Sequence, residues 1–542
     1  MKKILAVTLF SALALSAGAQ NWLDALTYAE TDYLGTARSV GMGGAMTAVG
    51  GDLGSLTFNP AGSAVAGYSQ FTITPGLTIS SVVGQGTLLD GQPYGFEDRL
   101  MTPKGGMHLP NVGAVMVFDT RNTRGLKRFS FGIVGNATRD YTYKLRGRGT
   151  NDNTTLAASL ATQADGYSTS LLSGGFDQWD IPSWEAMVGY KSGIFDPVPG
   201  TDNAYMGLTE RLLDNGDLQL ASPISQYYCL DRSGSKYDLL MNFAMDFSDR
   251  FYLGANIGVT SLSIRNDETR AENALGGGDY PSGFQSLEVA STNKSSGSGI
   301  YAKVGFIARP FAGLRIGAAI QTPTLLEINS TYYVDGRSVA DGVEWSQSSP
   351  EDNWSYLLRT PLRVNAGVAY TFGKTALVSA DYEYCDYQGM RFRSPYNDPN
   401  SVDYSDVNLD ISDLTGPVHA IRLGGELKPS SQLALRVGYN LTTSAQYNVL
   451  LDNGTVSALS FEERRAMDRS AVSFGVGYNS TGSFFADFAV RFQFLPDEYY
   501  TPYYYYFRAD DGTLYQDADI ITPEIWAQAR QCNALLTLGW RF

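Results

Sequence analysis

The chain has 542 residues, with 58 Gly, 34 Tyr and 12% aromatic residues, a mean hydropathy of -0.16 and a formal net charge of -15. Past the amino terminus no segment comes near the roughly 20 apolar residues of a spanning helix, which excludes a helical membrane protein. An acidic chain with few basic clusters also excludes nucleic acid as a partner. A transmembrane β-barrel stays open, because strands of about 10 residues that meet lipid on alternate positions leave the overall hydropathy near that of a soluble protein.

Residues 1–19 have the layout of a signal peptide: Lys2 and Lys3 as the positive start, Ile4 to Leu15 as the apolar core, and Ala17-Gly18-Ala19 as the small-residue cleavage site. The mature chain is then expected to begin at Gln20, and losing Lys2 and Lys3 takes the net charge from -15 to -17. Cys229, Cys385 and Cys532 are odd in number and far apart, so a disulfide scaffold is not expected, although one pair in the loops stays open.

Next comes a stretch with glycines at 35, 41, 43, 44, 50, 51, 54 and 62, too poor in side chains for an amphipathic helix and free in its backbone torsions. It predicts a compact, irregular plug over 20–66, with Gly41, Gly43 and Gly44 in its tight part and Asn59, Pro60 and Ala61 as its fixed part. Pro60 removes an amide donor and restricts Asn59 to extended geometry. Gly35, Ala37, Arg38, Gly41, Met42, Gly43, Gly44, Ala45, Thr47, Ala48, Gly50 and Asp52, followed by Asn59-Pro60-Ala61-Gly62, spell GxARxxGMGGAxTAxGxD…NPAG. This pattern resembles the start of the FadL/TodX family of outer-membrane transporters for hydrophobic compounds. The resemblance implies a fourteen-stranded barrel with an amino-terminal hatch, and passive uptake with sideways release of the ligand through a kinked strand.

From 67 to the end, runs of about ten alternating residues recur, joined by turns that are short and long by turns. They fall near 68–82, 111–119, 127–141, 236–247, 251–264, 299–309, 313–333, 361–372, 376–388, 418–428, 431–443, 470–479, 482–495 and 533–542. The count is even, as a single-chain bacterial barrel requires. The fold class expected is therefore all-β: a transmembrane antiparallel barrel of about fourteen strands, with its short turns in the periplasm. The last strand alternates Ala534, Leu536, Leu538, Trp540 and Phe542, and its terminal aromatic resembles the signature read by the barrel assembly machinery.

If the apolar set faces lipid, the lumen receives Arg315, Arg363, Asp381, Glu383, Arg422, Glu426, Arg436, Asp487 and Arg491. Arg or Lys on the lipid side would cost about 2–4 kcal/mol each near the midplane. Of the lumen arginines Arg315, Arg363, Arg422, Arg436 and Arg491, one or two are candidates to meet an anionic head group, and the rest to pair with lumen carboxylates and the plug. Gly132, Gly135 and Asn136 on the third strand are where a bend, and with it a lateral opening, is sought.

The longest outer segment, about 142–235, should hold its own structure, with Ile181 to Ile194 as a short helix or strand over the mouth. Tyr499 to Phe507 suits either ligand stacking or an aromatic girdle at the membrane interface. Asp403, Asp406, Asp410 and Asp413 lack the spacing of a calcium loop and read as solvated acids. Only His108 and His419 are available for catalysis and no GxSxG accompanies them, so neither an enzyme, a cofactor nor a metal is expected.

The function expected is passive uptake of a hydrophobic small molecule, long-chain fatty acid or aromatic hydrocarbon, by a monomer in the lipid of the bacterial outer membrane. The alternative is a surface-binding or structural barrel whose outer loops carry the function.

Overall fold

Alternation decides the architecture. In the run Leu362 to Tyr370, Leu362, Val364, Val368 and Tyr370 are exposed while Arg363 and Asn365 are buried, and the same inversion of a soluble protein holds around the whole sheet. The structure, a computed structural model, describes residues 21–89, 91–178, 181–395, 402–450, 455–509, 514–517 and 519–542. The expected signal peptide over 1–19 and start at Gln20 lie outside the described residues.

Fourteen antiparallel strands close into a barrel. They are β1 (Gln70–Gly86), β2 (Leu100–Asp119), β3 (Leu126–Asp140, continued by Tyr143–Asn151), β4 (Ile224–Phe247), β5 (Phe251–Ala274), β6 (Phe284–Ala308) and β7 (Leu314–Gln321, continued by Leu325–Ala340). Then follow β8 (Asp352–Arg359, continued by Arg363–Phe372), β9 (Ala376–Asp386), β10 (Pro417–Leu427), β11 (Leu433–Thr442), β12 (Arg469–Asn479), β13 (Phe484–Tyr500) and β14 (Ile525–Arg541). Closure is made by β14 on β1, with Phe71 opposite Trp540 and Leu77 opposite Ala534.

Every expected run falls on one of these strands, but the outer ends go further. β4, β5 and β6 have 24, 24 and 25 residues, more than twice the 9–11 needed to span a bilayer. Above the membrane their inner face is packed by protein, so the simple alternation that marks a lipid-facing strand stops before the strand does.

The amino-terminal segment lies inside the barrel. It carries α1 (Trp22–Ala29), α2 (Ala37–Gly41), a short 3-10 turn (Leu53–Thr57) and α3 (Gly62–Val65). Outside, residues 152–178 and 181–223 form a cap with α4 (Leu156–Ala164) and α5 (Trp184–Lys191), whose core of Leu156, Leu160, Val188, Phe195 and Tyr205 packs on Val289 of β6 and Val334 of β7. The expected Ile181 to Ile194 element is thus a helix. The three cysteines are free.

Candidate functional site

The lumen is built in two levels. At its floor, lumen side chains grip the backbone of the amino-terminal segment. Lys303 Nζ donates to Thr57 O at 2.5 Å, Arg315 Nη1 to Val49 O at 2.5 Å, Asn242 Nδ2 to Pro60 O at 2.9 Å and Asn256 Nδ2 to Leu56 O at 2.9 Å. Irregular backbone buried in this way needs partners for its carbonyls, and the wall supplies them. Asn59 Nδ2 in turn donates to Thr47 O at 2.8 Å and Phe306 O at 2.9 Å, while its Oδ1 accepts from Ala61 N at 3.1 Å, so Asn59-Pro60-Ala61 is fixed from both sides. Gly43 has φ +63°, and a Cβ there would lie 2.7 Å from Tyr439 N. Only glycine allows both that torsion and that approach to the wall. Gly41 lies against Gly475 of β12 and Gly44 against the Arg422 side chain.

The charges at the floor form chains. Glu426 takes Arg38 at 2.9 Å and Arg436 at 2.8 Å, Arg436 goes on to Asp487 at 2.6 Å, and Glu383 takes Arg363 at 2.9 Å and Arg422 at 2.8 Å. Arg491 grips Asp32 through both terminal nitrogens. All five arginines considered as ligand contacts (Arg315, Arg363, Arg422, Arg436 and Arg491) are therefore committed to the wall or to the inner segment, and none of them lines the cavity described next.

Above the floor lies a cavity of about 520 Å³. Its base is α1, whose C-terminal carbonyls are capped by Lys236 (2.6 Å to Tyr28 O) and Arg363 (2.8 Å to Ala29 O). Its roof is the start of α5, where Glu185 holds Arg270 of β5 at 2.6 Å. Its sides include Arg139, Tyr143, Tyr228, Arg232 and Tyr500. Glu30 binds both Arg139 (2.6 Å) and Arg469 (3.0 Å), closing the base with charge. Asp24 lines the same space, and burial pushes its carboxyl up to about 6.

The wall beside this cavity is incomplete. β2 pairs with β1 all the way from Val115 up to Leu100, but with β3 only from Asp119 to Asn111, opposite Arg128 to Asn136. The outer part of β3, Tyr143–Asn151, pairs with β4 alone. A register shift at Lys236/Tyr237 leaves Thr138 as an extra residue in β3, and the carbonyls of Ala137 and Thr138 accept from Leu34 N (3.0 Å) and Asp32 N (2.6 Å) of the inner segment. The inner segment has thus taken carbonyls of the bent strand, which parts from β2 at this point.

Between the two strands runs a slit of about 230 Å³, lined by Gly106, His108, Ala137, Asp140, Thr142 and Tyr237 among others. Arg139, Asp140 and Thr142 line both slit and cavity. Gly132 and Gly135, where an opening was sought, are paired on both sides with β2 and β4. Asn136 is the last paired residue, bonded to Asn111 at 2.7 Å and Thr57 at 2.8 Å. Pairing between β2 and β3 ends at Asn136, and Ala137 and Thr138, the next two residues, are those bonded to the inner segment. Lys104 of β2 crosses the seam to Asp231 of β4, which also holds Lys144 of β3 at 2.5 Å.

The tyrosine run divides: Tyr500 lines the cavity, and Phe507 is exposed. Tyr503, Tyr504, Tyr505 and Tyr506 are buried under the cap: Tyr503 Oη accepts from Gln226 at 2.6 Å and Tyr505 Oη from Thr155 N at 2.9 Å. Asp406, Asp410 and Asp413 ride on α6 (Ser405–Leu414), and Asp403 accepts from Ser405 N at 2.9 Å. Among the described residues no cluster fits a metal ion. His419 bonds Tyr382 at 2.7 Å on the outward face, and His108 faces Asp140 at 3.7 Å in the slit.

No family model matches the chain, and no curated protein does. Among solved structures, a Pseudomonas aeruginosa FadL homologue is similar over 95% of this chain and 100% of its own, at 13% identity and a TM-score of 0.51. The Pseudomonas putida toluene transporter TodX is similar over 95% of this chain and 100% of its own, at 13% identity and a TM-score of 0.46. The first of these likenesses shows a shared fold.

Proposed function

We propose that the protein is a passive outer-membrane channel for hydrophobic small molecules, in which ligand passes from the cavity under the cap through the seam between β2 and β3 into the bilayer. One observation carries the reading: the cavity and the slit meet at three shared lining residues, Arg139, Asp140 and Thr142, beside a stretch of wall with no strand pairing. The amino-terminal segment acts in this reading as the plug, closing the straight route to the periplasm and leaving the sideways one. The outward faces of β2 and β3 next to the seam present Met107 and Ile133 to lipid, so an apolar ligand leaving there meets hydrocarbon rather than water. The fold shared with the FadL homologue, and the toluene transporter among the similar structures, agree with this class of cargo.

The seam offers its own test. A Cβ on Gly106 would stand 3.3 Å from Thr142 Oγ1, close enough for a disulfide between Gly106→Cys and Thr142→Cys. Uptake of toluene by cells producing the double variant is expected to drop to the level of cells without the protein when oxidised, and to return on reduction. Undiminished uptake by the fully oxidised protein would place the route elsewhere.

A further inference from the structure

Resting on that reading of the cavity as a ligand site, we infer that it selects an uncharged, hydrogen-bonding or cationic head group and rejects a carboxylate. Eight carboxylates line the cavity against four guanidinium groups. The guanidinium groups are largely spent: Arg139 and Arg469 on Glu30, and Arg270 on Glu185. Asp24, Asp140 and Glu498, by contrast, have no lysine or arginine within 4.0 Å among the described residues. They are held by neutral donors instead: Asn21 N to Asp24 at 3.1 Å, Thr142 N to Asp140 at 2.8 Å, and the Tyr500 hydroxyl to Glu498.

A second, independent feature points the same way. Glu185 is 2% exposed, and its Oε1 already accepts from Arg270 and from Tyr332 (3.2 Å). Its Oε2 is buried with no hydrogen-bond partner. A buried acceptor left unmade is costly, and what satisfies it is a donor. A hydroxyl, an amide N–H or an ammonium supplies one; a carboxylate has none to give. Tyr143 lines the same space with its ring.

Arg232 is the one cavity arginine with no carboxylate within 4.0 Å among the described residues. Its Nε donates to Asn266 at 2.9 Å and its guanidinium stands 5.8 Å from the Tyr143 ring centroid. An anionic head placed there would still share the cavity with Glu498, Asp24 and Glu268, so one free guanidinium does not reverse the sign of the site.

The test uses the purified full chain in mild detergent, incubated at neutral pH with equimolar decylamine, decanol and decanoate. Recovered ligands are quantified by mass spectrometry against an unrelated barrel in the same detergent. Decylamine and decanol are expected to be retained about tenfold or more over decanoate, a ratio equivalent to one factor of ten in affinity. Asp24→Asn combined with Glu498→Gln should narrow the amine-to-acid ratio and Arg232→Gln should widen it, heat-dependent gel migration showing each variant folded. Decanoate retained as well as decylamine would overturn the inference while leaving the uptake reading standing. A wild-type preference that neither variant shifts would overturn the assignment to these residues. Enrichment of none of the three would overturn both the inference and the ligand site it rests on.

Discussion

The floor of the lumen and the cavity above it are made from the same residue types and treat them in opposite ways. At the floor, Arg38, Glu426, Arg436 and Asp487 run in an unbroken chain of ion pairs, and carbonyls of the inner segment are met by Lys303, Arg315, Asn242 and Asn256. In the cavity, Asp24 and Glu498 have no lysine or arginine within 4.0 Å among the described residues, and Glu185 Oε2 is buried without a hydrogen-bond partner. Ion pairs in a low-dielectric interior fix a structure, whereas carboxylates left without a cation can meet one from outside; single unpartnered atoms such as Arg422 Nη1 and Asp381 Oδ1 occur at the floor too, so the contrast lies in the pairing of charge. On the proposed reading, the difference separates a part that holds from a part that receives.

The sharpest way to break that contrast is Glu426→Ala, which strands Arg38 and leaves Arg436 with Asp487 alone. Removing one partner of a buried pair costs about 3–5 kcal/mol, so the urea midpoint of the refolded barrel in detergent should fall far more than for Asp24→Asn. Equal losses from the two variants would erase the distinction between floor and cavity. Next in size is Gly43→Ala, which forces a side chain into positive φ and against Tyr439 N, at a cost of about 1–3 kcal/mol. If the inner segment occludes the barrel, single-channel conductance in planar bilayers should rise in this variant; an unchanged baseline would argue against occlusion.

The cavity makes its own prediction through Asp24. Its folded pKa, raised to about 6 from 3.8, means that the folded chain keeps a proton which the unfolded chain has released. Its contribution therefore declines as pH rises from about 4 to about 6, and is level above that. Stability measured across that window should lose part of its slope in Asp24→Asn, and an identical slope in both proteins would count against a buried Asp24.

The smallest expected stability effect is at the seam. Asp231→Asn weakens a partly exposed ion pair, worth about 0–1 kcal/mol, yet it releases Lys104 and Lys144 from the point where β2 overlaps β3 and β4. Faster toluene uptake at nearly unchanged stability is the outcome that fits a seam through which ligand passes. Slower uptake would mean that the pair shapes the path rather than restraining it.

How legible all this was varied with the physics of each region. Strand alternation in lipid is enforced residue by residue, so runs such as Leu362 to Tyr370 and Leu433 to Tyr439 could be placed with their faces correct. The inward arginines were found by the same logic, but whether Arg491 meets a ligand or Asp32 depends on a residue more than 400 positions away in the chain. Arg139, Glu185 and Arg232 were missed as cavity residues because they sit on parts of the wall or cap where both faces are packed and period-two patterning fades. The tyrosine run was ambiguous because aromatic composition alone does not distinguish a ring facing lipid, a ligand or a cap helix.

The sequence by itself determined the barrel, its strand number, which face of each strand meets lipid and the glycine-rich segment with its close approaches, since these follow from local periodicity and backbone freedom. Only the tertiary structure decided where the wall opens and which charges remain unspent. The break between β2 and β3 arises where Asp32 and Leu34 capture carbonyls of Thr138 and Ala137, and the charge balance of the cavity is what is left after partners distant in the chain have paired. Both depend on contacts that close over long loops, which local pattern does not encode.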